Sequence, residues 1–326
     1  MNTSIFKTFL PLNGIDAEKA KLLIWAITCA VTALAFCVLP ILHASSSYLF
    51  YMALAVTLAS GFNCVAGLTG YMPFGYVAFY GVGAYTFGAL VRSYESPILL
   101  AFIAAGIAGV LLGLLLVPTL RLRGVYFGIV SLALSIICKL IISLLPEEIT
   151  GGSLGLVIAA ANNPFAAYYS MVALMVVTLV ASGLLAHSRL GVKLRAIRDD
   201  SEAAETLGIN VPYTRAKAWL LASLFPACAG ALEAWYSNAI DLDSSFNLLI
   251  TTKTIVYAMA GGLSFVCGPL VGAIGFYVID QIVWNLFPAL NLFFLGLFIV
   301  VLVIWLPRGI VGQIAFKRSR LRKYIP

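Results

Sequence analysis

Long apolar stretches alternate with short polar breaks from Leu22 almost to the end of the chain. The first reads LLIWAITCAVTALAFCVLPIL, with no alternation of apolar and polar positions, so a strand of a membrane barrel is excluded and a helix is indicated. Runs of this kind are long enough to cross a hydrocarbon core of about 30 Å. Breaks at glycine, proline and charged residues divide them near 22–42, 48–66, 72–91, 97–118, 124–145, 167–187, 216–238, 247–263, 265–286 and 290–306. The pattern predicts an all-α, polytopic membrane protein of about ten transmembrane helices in a single domain, 1–326. It has a polar N-terminal segment (1–21), one long charged loop (188–216) and a polar C-terminal tail (307–326).

Composition agrees with this reading: 62% of the 326 residues are hydrophobic and only 10% charged. The first apolar run has full spanning length behind Lys7, Asp16, Glu18, Lys19 and Lys21, the pattern of a retained helix rather than a cleaved signal. Of the 20 lysines and arginines, all but Arg92, Lys139 and Lys253 fall on one face of a ten-span arrangement. By the positive-inside rule that face and both termini are cytoplasmic, as in a protein of a bacterial-type inner membrane. The net charge of +7 is thereby accounted for by topology in the lipid bilayer, and no nucleic-acid partner is required. Trp25, Trp219, Trp235 and Trp305 fall near span ends, where indole rings anchor at the membrane interface.

Enzyme chemistry has little support. The six cysteines form no C-x-x-C pair, the two histidines have no carboxylate near them in sequence, and no metal set or nucleophile–base constellation is apparent. Lys139, Glu233, Lys253 and Asp280 lie within apolar runs, where a charge must be paired, face water or reach an interface. Lys253 is a candidate for a buried pair with Asp280 or Glu233. Two glycine-rich stretches, AGLTGYMPFGYVAFYG and AGGLSFVCGPLVGAIG, have a common texture and suggest a faint repeat, of the kind that is inverted in many transporters.

The segment from Arg189 to Lys217 holds ten of the chain's charged residues. Leu190, Leu194 and Ile197 recur at helical spacing, predicting an amphipathic helix. Asp199 or Asp200 then serves as an N-cap for a second, very short helix, with Glu202 in its first turn and Gly208 at its C-terminal cap. A helix of about two turns is marginal in water and needs a partner surface. Ala203, Ala204, Leu207 and Ile209 are expected to form its outward apolar face. The alternative is a solvated loop whose charges pair among themselves.

The stretch EAAETLG, Glu202 to Gly208, resembles the cytoplasmic motif of permease subunits of ATP-binding-cassette importers. The wider frame SRLGVKLRAIRDDSEAAETLGINVPYTRAKAWLLASLFPACAGAL resembles the branched-chain amino acid permeases of the LivH and LivM type. So do GLTGYMPFGYVAFYGVGAYTFGAL, RLRGVYFGIVSLALSII, TGGSLGL, GGLSFVCGPLVGA and LPRGIVG, in family order, and RLRGVYFGIVSL brings the chain nearer the M-type subunit. The sequence departs from the family's commoner residues at Pro73, Tyr76, Leu154 and Pro226. The resemblance implies an ABC-importer permease fold whose coupling helix, with Asp200, Glu202, Ala203, Ala204, Leu207 and Gly208, docks on an ATPase. It implies a translocation pathway for which Gly70, Pro73, Tyr76, Gly81, Gly83, Gly151, Gly152, Gly261 and Gly262 are candidates. The partners it implies are a homologous second permease, two ABC ATPases and a periplasmic substrate-binding protein. No cofactor is expected in this chain: it has no G-x-x-x-x-G-K-[ST], so ATP would be bound by the partner subunits. Branched-chain amino acids are the implied substrate, with urea, amides or other amino-acid-like molecules as alternatives. The rival from another class is an ion-coupled secondary transporter or channel acting without an ATPase.

Overall fold

The computed structural model describes residues 17–42, 45–122, 124–147, 151, 155–158, 163–263, 265–306 and 309–317. Each of the ten apolar segments holds a helix. They are α1 (Ala17–Val38), α2 (Ser46–Thr69), α3 (Val77–Ser93), α4 (Ile98–Leu115), α5 (Val125–Ser143), α6 (Pro164–His187), α9 (Val211–Ser237), α11 (Leu248–Gly261), α12 (Gly268–Leu286) and α13 (Asn291–Trp305). Between α6 and α9 lie α7 (Arg189–Asp199) and α8 (Ser201–Thr206); α10 (Leu242–Ser245) precedes α11, and α14 (Gly309–Lys317) follows α13. Among the described residues six helices, α2, α4, α5, α6, α9 and α12, are long and apolar enough to cross a membrane. Shorter apolar stretches are Leu22–Val38 in α1 and Pro288–Leu302, which runs into α13. α3 and α11 have 17 and 14 residues.

One helix, α4, buries its small residues and exposes its large ones. Along α4 the buried positions are Ala101, Ala105, Gly106, Gly109 and Gly113, while Leu100, Ile103, Ile107, Leu111 and Leu114 are exposed. Lipid solvates a leucine as well as another helix does, so helices associate where small side chains let backbones approach. α2 is the central helix, buried over almost its whole length, and packs against α6, α9, α11 and α12. α9 crosses α3 so closely that a Cβ on Gly83 would lie 2.0 Å from the Ala227 carbonyl oxygen, and one on Gly230 2.1 Å from that of Tyr80.

Long-range hydrogen bonds define the two ends of the bundle. The indole of Trp25 donates to Leu179 O and the hydroxyl of Tyr168 to Phe36 O, which sets α1 antiparallel to α6. At the end opposite α7 and α8, a two-residue strand β1 (Leu156–Val157) pairs antiparallel with β2 (Ala239–Ile240), with Leu156 opposite Ile240. Lys139 of α5 pairs with Asp243 of α10 at this end.

Trp25, Trp219 and Trp235 are buried rather than interfacial; the Trp219 indole donates to Gly113 O, so these rings are internal packing groups, and only Trp305 of the four is exposed. The two glycine-rich stretches form breaks at the same end of the bundle, between α2 and α3 and between α11 and α12. They touch: Asn63 donates to Phe265 O, and a Cβ on Gly67 would lie 2.2 Å from Leu263 O. Each break joins helices running in the same two directions, so the two hairpins are alike in orientation rather than inverted.

Candidate functional site

The charged loop folds as two helices set at an angle. Ser188 caps α7 through Gly191 N, and Gly191, Leu194 and Ile197 are its buried positions. The Asp200 carboxylate accepts from Glu202 N at 2.9 Å and Ala203 N at 3.1 Å, satisfying two backbone donors that open α8. After Thr206 the chain turns through Gly208 at φ +79°, and Ile209 N donates to Ala204 O. This left-handed position suits glycine, which lacks the Cβ that opposes it. Asn210 then caps α9 through Tyr213 N.

Ala204 does not belong to the outward face. It is 2% exposed and packs with Ile197, Val211 and Ile209 in a small apolar cluster between α7, α8 and α9. With six residues in α8, one face must anchor it, and the smallest apolar side chain at its centre does so. Ile209 is likewise partly buried against that cluster. The outward surface consists of Glu202, Ala203, Glu205, Thr206, Leu207 and Gly208, with Leu207 79% exposed. Leu207 thus stands exposed at the end of a capped helix, after Glu202 and Glu205.

The expected pathway residues do not meet in one place. Gly70, Pro73 and Tyr76 share the break between α2 and α3, where Gly70 has φ +75°. Pro73 and Tyr76 are buried, and the Tyr76 hydroxyl donates to Ala222 O on α9 at 3.4 Å. Gly81 lies under the Phe246 ring, and Gly83 meets the α9 backbone. Gly261 packs on the α12 backbone at Gly268 and Gly272, and Gly262 lies against Gly309. Gly151, at φ +69°, belongs to the opposite end of the bundle, and Gly152 lies outside the described residues. Most of these glycines therefore serve close backbone approach. An apolar cavity of about 160 Å³, lined by Phe74, Thr252, Ile255, Val256, Met259, Ile299 and Leu302, adjoins the first break. Periodicity alone gave no sign of it, because it is formed by α11, α13 and the 70–76 break together.

The charges within the apolar helices resolve into separate sites. Lys253 on α11 reaches Asp280 on α12 at 2.7 Å, and Tyr257 and Asn291 complete the carboxylate's partners at 3.2 and 3.3 Å. Glu233 is apart from this pair and accepts from the Tyr80 hydroxyl at 2.6 Å. Of the two candidate partners for Lys253, the structure selects Asp280.

The fold and its polar sites define an all-α, multi-pass membrane protein with a capped surface helix at its basic end. A family model described as branched-chain amino acid transport system / permease component matches residues 44–303. The chain belongs to that family of transport permeases. It is similar to the high-affinity branched-chain amino acid transport system permease protein LivM of Escherichia coli (strain K12). The two are 27% identical over 291 residues, covering 78% of this chain and 67% of the relative. The LivM protein of Salmonella typhimurium (strain LT2) is 26% identical over 340 residues, with 94% and 78% covered. A probable branched-chain amino acid transport permease protein LivH of Methanocaldococcus jannaschii is 26% identical over 241 residues, with 69% and 75% covered. The chain thus stands near the M-type permeases. No solved structure matches it.

Proposed function

We propose that this chain is the membrane-spanning permease subunit of an ATP-driven importer of branched-chain or related amino acids. In this reading all ten apolar helices cross the inner membrane, and the basic end with both termini is cytoplasmic. Separate ATPase subunits supply the energy, a homologous second permease completes the membrane unit, and a periplasmic binding protein delivers substrate. The observation that carries the reading is the outward face of α8, where Leu207 is held exposed while Ala204 is anchored beneath it. Family membership supports the same assignment. Apolar lining with few charges suits an aliphatic side chain that must be released again.

The rival, a carrier working without an ATPase, would use a membrane carboxylate to bind its coupling ion. Asp280 is a poor candidate, since Lys253, Tyr257 and Asn291 already occupy it. Leu207→Ser decides between the two readings, because a substitution at so exposed a position leaves folding within about 0.5 kcal/mol. Burying a leucine side chain is worth about 1.5 to 3 kcal/mol, so co-purification of the ATPase should weaken at least tenfold. Unchanged ATPase binding by Leu207→Ser, or substrate uptake by the purified chain alone in vesicles, would overturn the proposal.

A further inference from the structure

The short helix α8 is bracketed in sequence by two arginines, and both turn back onto one segment of the membrane bundle. Arg198, in the last turn of α7, donates from Nη1 to Gly67 O at 2.8 Å. Its Cγ is the atom that a Cβ on Gly70 would meet, at 3.2 Å. The Asp199 carboxylate accepts from Arg198 Nε and Nη2 at 3.4 Å, orienting the guanidinium from the solvent side. Arg215, in the second turn of α9, donates to the Tyr71 hydroxyl at 2.9 Å, and its guanidinium carbon stands 4.3 Å from the centre of the same ring. The two side chains thus hold residues 67–71 at two points, one on each side of α8.

What they hold is the last turn of α2 and the start of the non-helical strap 70–76 that leads into α3. The far end of this strap is embedded. Gly75 N donates to Ser131 Oγ on α5 at 3.3 Å, Tyr76 reaches Ala222 on α9, and Val77 N, at the start of α3, donates to Thr251 Oγ1 on α11 at 3.0 Å. The near end also touches the second glycine break, through Gly67 against Leu263 and Asn63 against Phe265. A load on α8 passes to α7 and α9, since the Ala204 cluster joins α8 to both. From there it meets two charged donors, each stronger than a neutral hydrogen bond. The strap has no regular helix of its own to resist, and it ends on the three helices that face the start of α3.

We propose that Arg198 and Arg215 form a yoke: positioning residues that carry a displacement of α8 to the strap 70–76 and so to α3. The inference rests on the reading of α8 as the ATPase contact and names the route by which that contact reaches the membrane core. It assigns a task to two arginines that charge placement alone counts only as topology signals.

The test uses the reconstituted assembly with its ATPase and a cysteine-free chain carrying Phe74→Cys, a strap position that is 43% exposed. The maleimide labelling rate is measured with and without a non-hydrolysable ATP analogue. In the parent the nucleotide should change the rate by about fivefold or more, the lower range of common coupling. In Arg198→Gln/Arg215→Gln that change should vanish while the ATPase still co-purifies and hydrolyses ATP. Tyr71→Phe removes only the hydroxyl that Arg215 grips, so it tests the same link with the core intact; the response should fall, and adding Arg215→Gln should lower it little further. A full nucleotide response in the double glutamine variant or in Tyr71→Phe would overturn the yoke alone. A parent chain that binds no ATPase would overturn the importer reading and the yoke with it.

Discussion

Lys253 and Asp280 face each other across 2.7 Å, one on the short helix α11 and the other on α12. The side chain of Lys253 is 31% exposed and that of Asp280 12%, so the carboxylate is the more deeply enclosed partner. Lys253→Met should leave Asp280 with Tyr257 and Asn291 only and destabilise the protein by about 1 to 3 kcal/mol, the cost of an unsatisfied buried group. Adding Asp280→Asn removes the orphaned charge and should recover part of the loss. Thermal unfolding in detergent measures both, and a single variant as stable as the parent would remove the pair from the list of structural supports.

Glu233 and Tyr80 form an independent contact, and the same method separates it from the pair. Tyr80→Phe withdraws the 2.6 Å donor from a carboxyl group within an apolar helix and should cost about 1 to 3 kcal/mol. Its effect should add to that of Lys253→Met, since the two contacts share no partner. Strong non-additivity would mean that Glu233 and Lys253 do interact.

Gly83 and Gly230 let α3 and α9 touch backbone to backbone. Alanine at either position puts a Cβ about 2 Å from a carbonyl oxygen, at Ala227 or Tyr80, and neither backbone yields as a flexible side chain does. Each variant should lose about 1 to 3 kcal/mol by overpacking. Gly275→Ala on α12, where a Cβ meets nothing within 4 Å, should be neutral or slightly stabilising. Equal midpoints for all three variants would refute close helix approach as the reason for these glycines.

Ala204→Asp and Gly208→Val should disturb α8 by different routes. The aspartate would enter the apolar cluster with Ile197 and Val211 and lift the helix from its seat. At Gly208 a Cβ meets no atom within 4 Å, so valine acts through backbone strain of about 1 to 2 kcal/mol at φ +79°. Both should reduce ATPase co-purification, Ala204→Asp the more, with the membrane helices still folded. Normal ATPase binding in Ala204→Asp would show that α8 is not gripped in the conformation seen here.

Orientation is testable by labelling in intact cells on a cysteine-free background. A cysteine at Ser201, in the charged loop, should be protected from an impermeant reagent, and one at Tyr94, which is 66% exposed at the opposite end, should react. The reverse result would invert the assignment of the basic end to the cytoplasm.

Features that local interactions fix within a few residues were legible in the amino-acid order. The ten apolar segments, the glycine and proline breaks, a cap at Asp199 or Asp200 and the left-handed turn at Gly208 follow from local hydropathy, backbone freedom and hydrogen-bond capacity. Each acts over one or two turns of chain. Which faces meet depends on how the helices pack. Ala204 turned inward because α7 and α9 close over it, and Lys253 took Asp280 because α11 and α12 pack side by side. Trp25 and Trp219 found carbonyls 154 and 106 residues away and are buried within the bundle, and Arg198 reached a carbonyl 131 residues back. A side chain's partner at such separation is set by helix packing, and in lipid that packing follows where small residues let backbones close rather than any pattern of hydrophobicity along the chain.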